Sequence, residues 1–282
     1  MGFTKPSGKL FNLETKHNKS METKLPQHII LARTLIHFYR HWFRPGLDLP
    51  KFFRRIFKMV PFYTAWKHQQ QSQPLPASFN DTIPCLDDQT AETSFDAHYL
   101  YQSVWAMELI DKKQPKEYID IGSDLRFVSM LSVRVPVTFV DIRPMEDHQL
   151  TNLTSKKGSI LALPFEPDSV QSLSCLHVLE HIGLGRYGDP FDPDGTEKGC
   201  EQLQRALAVD GDLYISTPIG KERVCFNAHR IFYPETIIGY FPKLTLVEFS
   251  VVDDQGHLIR NADPNQFINQ NYGCGLFHFV KG

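Results

Sequence analysis

The sequence is poor in cysteine, and the five it has (Cys85, Cys175, Cys200, Cys225 and Cys274) are odd in number, scattered and never paired as C-x-x-C. That pattern offers neither a disulfide framework nor a cysteine zinc site, and it fits a reducing compartment. Long apolar runs are also missing. No stretch approaches the roughly 20 apolar residues that cross a bilayer, and the N-terminus has no signal-peptide core. "MGFTKP" fails the myristoylation pattern because residue 6 is proline. The expectation is a cytoplasmic protein. What is present, 282 residues at 41% hydrophobic, suffices for a substantial core.

The net charge of −2 is unevenly distributed. Residues 1–75 carry 13 Lys/Arg against Glu14, Glu22 and Asp48, a balance of +10, and the remainder carries 17 basic and 29 acidic residues, a balance of −12. The two parts therefore do different work. Residues 1–27, polar and without period, read as a disordered tail. In "HIILARTLIHFYRHWFR", Leu31, Leu35, Phe38, Tyr39 and Trp42 share one helical face, opposite Arg33, His37, Arg40, His41 and Arg44. Phe52, Phe53, Ile56 and Met59 repeat the pattern against Arg54, Arg55 and Lys58. Residues 28–66 thus form a basic amphipathic helical arm, which either docks on the globular body or makes peripheral contact with an anionic membrane. Nucleic acid is not expected, since no base-reading module is evident. The Gln- and Pro-rich residues 67–84 read as a linker, leaving 85–282 as the main domain.

In that domain strands and helices alternate. "SFDAHYLYQSVWAMELI" predicts a helix capped by Ser94, with Leu100, Val104 and Met107 along one face. Strands in "EYIDIG", "PVTFVD", a short segment before "GSILALPF", "SVQSLSCL" and "DLYIST" are interleaved with helices through "DLRFVSMLSV" and "TEKGCEQLQRALAV", the latter closing at Asp210-Gly211. "LTLVEFSVV" and "GLFHFVK" supply an antiparallel end. The fold class is α/β: a doubly wound, mostly parallel Rossmann-like sheet with its last strand antiparallel, preceded by the helical arm.

Ligands of such sheets bind outside the carboxyl ends of the strands. The first strand ends in Asp120, Gly122, Ser123 and Asp124, running into a helix whose N-terminus offers free N–H donors. The second ends at Asp141, about 20 residues on, where a carboxylate grips paired ribose hydroxyls in nucleoside-binding folds. Ile160 and Leu161 are candidates for the adenine face. After "DLYIST", a polar loop gathers Arg223, Asn227, His229 and Arg230, suited to clamping an anionic acceptor group and to accepting a proton, or alternatively a surface pair and a helix cap. Tyr99, Tyr101 and Trp105 form either an aromatic wall or core.

These landmarks resemble the class I S-adenosylmethionine-dependent methyltransferases. Asp120-x-Gly122 is similar to their first motif, Asp141 to the ribose-binding acid, "LPFEPDSVQSLSC" to the approach to strand four and "HVLEHI" to the segment after it. Within the superfamily, "HVLEHIGLGRYGDPFDPDG", "FNAHRIFYPETI" and "GCGLFHFVK" resemble the domain-of-unknown-function family numbered 268. The resemblance implies S-adenosylmethionine as cofactor, held by Asp120, Gly122, Ser123, Asp124, Asp141, Ile160, Leu161 and His177. It also places His177–His181 at the cleft mouth. The reading of the residues themselves adds His229 as catalytic base, with Glu180 or His181 second, and Arg223, Asn227 and Arg230 on the acceptor, expected to be a polar small molecule or a glycan-linked group. The chain departs from the first motif in carrying Asp124 and Arg126 where the second and third glycines would stand. A non-catalytic binding module, recruited by the arm, is the alternative.

Two strings invite metal readings. His177, Glu180 and His181 spell H-x-x-E-H, a zinc-peptidase pattern, but that chemistry needs both histidines on one sustained helix, and here a strand runs into His177 while Gly183 and Gly185 follow. "GDPFDPDG" suggests part of a calcium loop, yet Pro190 stands where a ligand is required, and Asp-Pro and Asp-Gly are first of all turn formers. No metal is expected.

Overall fold

The computed structural model describes residues 32, 35, 36, 48–70, 78–146 and 148–282. The expected tail lies outside them, as does most of the first amphipathic helix, of which Ala32, Leu35 and Ile36 are helical. The chain divides into two compact units, residues 1–93 and 94–282. Among the described residues no helix is long and apolar enough to cross a membrane.

In the first unit, α1 (Leu49–Gln70) begins where Asp48 accepts the Lys51 N–H at 3.0 Å, and it carries Pro61 within. It continues past residue 66, into the expected linker, before the turn Phe79–Asp81. Phe52, Phe53, Ile56 and Met59 are exposed, as are Phe57 and Val60. Arg54, Arg55 and Lys58 converge on the Asp87 carboxylate at 3.2, 2.9 and 3.4 Å.

The second unit opens with α2 (Ala97–Lys113). Its cap is Asp96, not Ser94: the Asp96 carboxylate accepts the Tyr99 N–H at 3.2 Å, satisfying one of the free donors of the first turn. The buried face is Gln102, Trp105, Ala106, Leu109 and Ile110, whereas Leu100 and Val104 are exposed. Trp105 anchors that choice, donating its indole N–H to Glu248 at 2.9 Å. The remaining elements are β1 (Tyr118–Ile121), α3 (Leu125–Leu131), β2 (Val137–Asp141), β3 (Leu153–Lys157), β4 (Val170–Leu176), α4 (Gly195–Ala206), β5 (Leu207–Ile219), the hairpin β6 (Arg223–Cys225) and β7 (His229–Ile231), α5 (Pro234–Gly239), β8 (Leu244–Val252), β9 (Leu258–Ile259) and β10 (Gly273–Lys281).

Eight strands form one sheet in the order β3-β2-β1-β4-β5-β10-β8-β9. The first five are mutually parallel, and β10 runs antiparallel to both β5 and β8. Alternate residues feed two cores, as the period of a strand dictates: Ile119 and Ile121 join Leu173 and Ile215 on one face, while Tyr118 joins Phe139, Leu176 and Tyr214 on the other. Strand order reverses between β1 and β4, which opens a crevice at their carboxyl ends. One element ends earlier than its pattern suggests. "LAV" reads as helix, but Leu207 pairs with Val170 and begins β5, and the pairing slips past Asp210, whose φ of 58° makes a turn. Sheet pairing there overrides helix propensity.

Candidate active site

The crevice is a cleft of about 530 Å³. Its floor is the turn after β1. Gly122 sits at φ 70°, a left-handed conformation that a side chain resists, and donates its N–H to Val140 at 3.0 Å. A methyl group there would stand 3.3 Å from both Val178 methyls and 3.4 Å from Asp141 Oδ2. The Asp141 carboxylate therefore overhangs the glycine, its Oδ1 accepting the Arg143 N–H at 2.6 Å. Ser123, Asp124, Ile160, Leu161, His177 and His181 also line the cleft. Of the residues expected to hold a cofactor, only Asp120 is not in the lining.

Asp120 lies beneath the turn, fully buried. Its carboxylate accepts the Ser123 N–H at 3.0 Å, the Ser123 hydroxyl at 2.6 Å and the Ser174 hydroxyl. Ser123 Oγ in turn accepts the Leu176 N–H at 3.0 Å, so Asp120 ties the turn to β4 rather than meeting a ligand. Burial raises its pKa from 3.8 to about 6 against the opposing pull of these hydrogen bonds. Between about pH 4 and 6 the unfolded chain releases this proton while the folded chain keeps it, so stability falls as pH rises through that window, by on the order of 2–3 kcal/mol. Urea unfolding midpoints of Asp120→Asn are expected to lack that component of the pH dependence. An unchanged slope relative to wild type would remove Asp120 as its source.

Asp124 caps α3, accepting the Arg126 N–H at 2.9 Å, and pairs with the Arg126 guanidinium through two further contacts of 2.9 Å. Arg126 is thereby folded onto its neighbour and exposed, outside the cleft lining. The cleft is not plugged at the two positions where glycines are missing.

The opposite wall starts at His177, which follows β4 at φ 54°. Leu179–His181 is a single 3-10 turn, and the two histidines part: His177 Nδ1 meets Glu180 at 2.7 Å, and His181 Nδ1 donates to the Ala228 carbonyl at 2.7 Å. The zinc-peptidase arrangement is absent because no helix presents both rings together. Burial would raise the pKa of Glu180, but the His177 charge and hydrogen bond outweigh it, so Glu180 stays a carboxylate. Burial would lower the pKa of His177, but the Cys274 sulfur and Glu180 more than reverse it. His181 Nε2 lies 3.7 Å from Glu180 Oε1, and burial lowers its pKa, leaving the imidazole neutral at pH 7.

The loop after β5 does something other than expected. Arg230 is buried and donates to the carbonyls of Ile182 (2.5 Å), Asp192 (3.4 Å) and Pro193 (3.4 Å) and to Thr196 Oγ1 (3.3 Å). Arg223 donates to the carbonyls of Lys221 and Asn271, both at 2.7 Å. Asn227, at φ 58°, is the turn of the β6–β7 hairpin. None of the three lines the cleft: backbone carbonyls take the guanidinium donors of Arg230 and Arg223, and Asn227 forms the turn. His229 is also outside the lining, its ring 5.0 Å from Tyr272. Arg230 instead pins "GDPFDPDG", which is an ordered turn as its prolines and aspartates suggest: Asp189 accepts the Gly183 N–H at 2.7 Å, and Asp192 pairs with Lys198. Arg230→Met is expected to cost about 3 kcal/mol by leaving carbonyls unpaired, read as a lowered urea midpoint. A loss under about 1 kcal/mol would show that the loop holds without it.

Tyr99 does serve as a wall, stacked 5.1 Å from His177, whereas Trp105 is core. Arg143 and Tyr187, which line the cleft in a cation–π pair of 4.4 Å, carried no motif to announce them.

Residues 153–241 match the model of a family described as "Caenorhabditis protein of unknown function, DUF268", so that resemblance is borne out. Among solved structures, the [4+2]-cyclase SpnF is similar with a TM-score of 0.51 and 9% identity, over 69% of this chain and 84% of that one. The N-methyltransferase NodS from Bradyrhizobium japonicum WM9, in complex with S-adenosyl-L-homocysteine, gives 0.48 and 14% over 64% and 86%. A TehB-like SAM-dependent methyltransferase from Corynebacterium glutamicum gives 0.43 and 15% over 63% and 87%. At these identities the likeness is one of fold, and the mostly parallel sheet with an antiparallel β10 is the architecture expected. No curated protein matches the chain in sequence.

Proposed function

We propose that the chain is an S-adenosylmethionine-dependent methyltransferase acting on a polar small-molecule or glycan-linked acceptor. One observation carries the reading: a carboxylate, Asp141, overhanging a left-handed glycine, Gly122, in an open cleft at the switch of strand order. A nucleoside fits this chemistry. Asp141 would accept its ribose hydroxyls, Ile160 and Leu161 would flank its base, and Gly122 lets the backbone come close. S-adenosylmethionine, when bound, supplies a methyl group already activated on a sulfonium. The work left to the protein is to orient the acceptor, exclude water and take up a proton. His181 replaces His229 as the proposed base, since it lines the cleft, is neutral and has the Glu180 carboxylate beside its Nε2. Tyr99 and Tyr187 would shield the acceptor from solvent.

Isothermal titration with S-adenosylmethionine and S-adenosylhomocysteine tests this directly. Saturable binding supports the proposal, and no heat at millimolar ligand overturns it. A second reading has its own support. Asp124 and Arg126 depart from the glycine motif and SpnF is a cyclase, so the fold admits other chemistry. A non-catalytic module would bind cofactor weakly or not at all and release no demethylated product with any acceptor. We also propose peripheral contact of the arm with anionic membrane, supported by exposed Phe52, Phe53 and Phe57 beside basic residues. Sedimentation with anionic liposomes, lost on deletion of 28–66, tests it.

A further inference from the structure

The geometry points to a divalent transition-metal site, of the kind that takes zinc, formed by His98, His177 and Cys274. The three come from separate elements: the first turn of α2, the residue after β4 and the start of β10. Their ligand atoms all lie within 4.8 Å of one another. This departs from the expectation of no metal, because two of the three donors lie far in sequence from the H-x-x-E-H string.

The first argument is an unmet need. His177 is 7% exposed, and its Nε2 is buried with no hydrogen-bond partner, a condition that folded proteins rarely leave uncompensated. The second is orientation. Glu180 holds Nδ1 of the same ring at 2.7 Å, which aims Nε2 at the cluster. A carboxylate behind the imidazole is the usual support of a metal-bound histidine, fixing the ring and strengthening the donor. The third is the donor set. Two imidazoles and one thiol suit zinc, and three protein ligands leave a fourth position for water or a substrate atom, as in catalytic rather than structural sites.

Rings brace the third donor. His98 lies between His177 and Tyr272, with centroids 5.6 and 5.1 Å away. Zinc bonds of about 2.0–2.3 Å set tetrahedral donors roughly 3.5 Å apart, so the three would draw in by about an ångström on binding. In that step the proton held between Cys274 Sγ and His177 Nε2 passes to solvent, and the freed thiolate and imidazole lone pairs form the metal–sulfur and metal–nitrogen bonds. The site does not rest on methyl transfer, although His177 also lines the cleft and would bring the cation to its edge. A thiol proton shared between Cys274 and His177 is the competing account of the same contact.

Cobalt separates the two. The full chain, stripped with chelator, is titrated with Co²⁺ and followed by absorbance, with circular dichroism as the check on folding. About one equivalent should produce a thiolate-to-cobalt charge-transfer band and tetrahedral d–d bands, both displaced by Zn²⁺. Cys274→Ser should lose the charge-transfer band, and His98→Asn should weaken cobalt binding tenfold or more. Because His98 is only partly buried, its variant keeps the test decisive if Cys274→Ser does not fold. No band in the wild type overturns the proposal. So does a band unchanged in the variants, which would assign cobalt to Cys85 or Cys225, the cysteines outside the core.

Discussion

Asp141→Ala is expected to weaken S-adenosylhomocysteine binding by two to three orders of magnitude while leaving the unfolding midpoint unchanged. The carboxylate ends β2, and its fold-supporting task is small: one hydrogen bond, from the Arg143 N–H to Oδ1. Oδ2 is the oxygen turned over Gly122. The Arg143 guanidinium does not compete for the carboxylate, since its nearest approach is 4.0 Å and its plane is taken by Tyr187. Each hydrogen bond from a ribose hydroxyl to a charged acceptor contributes roughly 1.5–3 kcal/mol. Two of them amount to at least about 3 kcal/mol, more than a hundredfold in affinity. Asp141→Asn keeps the shape but gives up the charge and one acceptor, and should fall between. Titration calorimetry on the three proteins reads the series. A dissociation constant for the alanine variant within threefold of wild type would detach Asp141 from the ligand and leave the nucleoside reading without its anchor.

The β1–β2 end of the cleft was legible in the sequence because its residues are local to strand ends. A strand's carboxyl terminus is where a βα turn must begin, so Gly122, Asp124 and Asp141 announced their place in the lining. Asp120 belongs to the same string yet works underneath it, and nothing in the string distinguishes a carboxylate facing a ligand from one facing Ser123 and Ser174. The acceptor end was less legible for a different reason. Arg223, Asn227, His229 and Arg230 look like substrate contacts because they are polar and follow a strand, but which polar group wins a guanidinium depends on the carbonyls that the fold buries nearby. Arg230 is taken by three of them, from residues 37 to 48 positions away. Likewise the inward face of α2 is Trp105's rather than that of Leu100 and Val104, because Trp105 reaches Glu248 across 143 residues. Long-range partners of this kind leave no period in the sequence.

The two missing glycines show how one local pairing changes what a motif substitution means. A charged residue at the position of Asp124 would crowd a cofactor if its charge were unpaired and aimed inward. Here the Arg126 guanidinium, two residues on, folds back on the carboxylate, so the substituted pair neutralises itself at the rim. Asp124 still lines the cleft at the head of α3, its carboxylate occupied by the Arg126 N–H and guanidinium.

Replacing His181 with asparagine is expected to lower kcat by 10²–10⁴-fold, the usual contribution of a positioned general base, with less than a threefold change in cofactor affinity. The assay is release of S-adenosylhomocysteine from the purified chain supplied with cofactor and a fractionated pool of small polar acceptors. The geometry sets the expectation in three steps. The Ala228 carbonyl accepts the Nδ1 proton at 2.7 Å, so the lone pair of the neutral ring lies on Nε2. Burial keeps the ring neutral below the ordinary histidine range, so the acid limb of the rate profile should fall below pH 6.5, activity being lost as pH drops through the lowered pKa. A proton taken from the acceptor then arrives 3.7 Å from Glu180 Oε1, a carboxylate held ionised, which stabilises the imidazolium as it forms. His229→Asn is the matched control, because that ring lies against Tyr272 outside the cleft wall and should cost less than tenfold. If His229→Asn instead removed the activity and His181→Asn spared it, the proton would have to leave by the β6–β7 hairpin, and the acceptor would bind across that loop rather than against the β4 end.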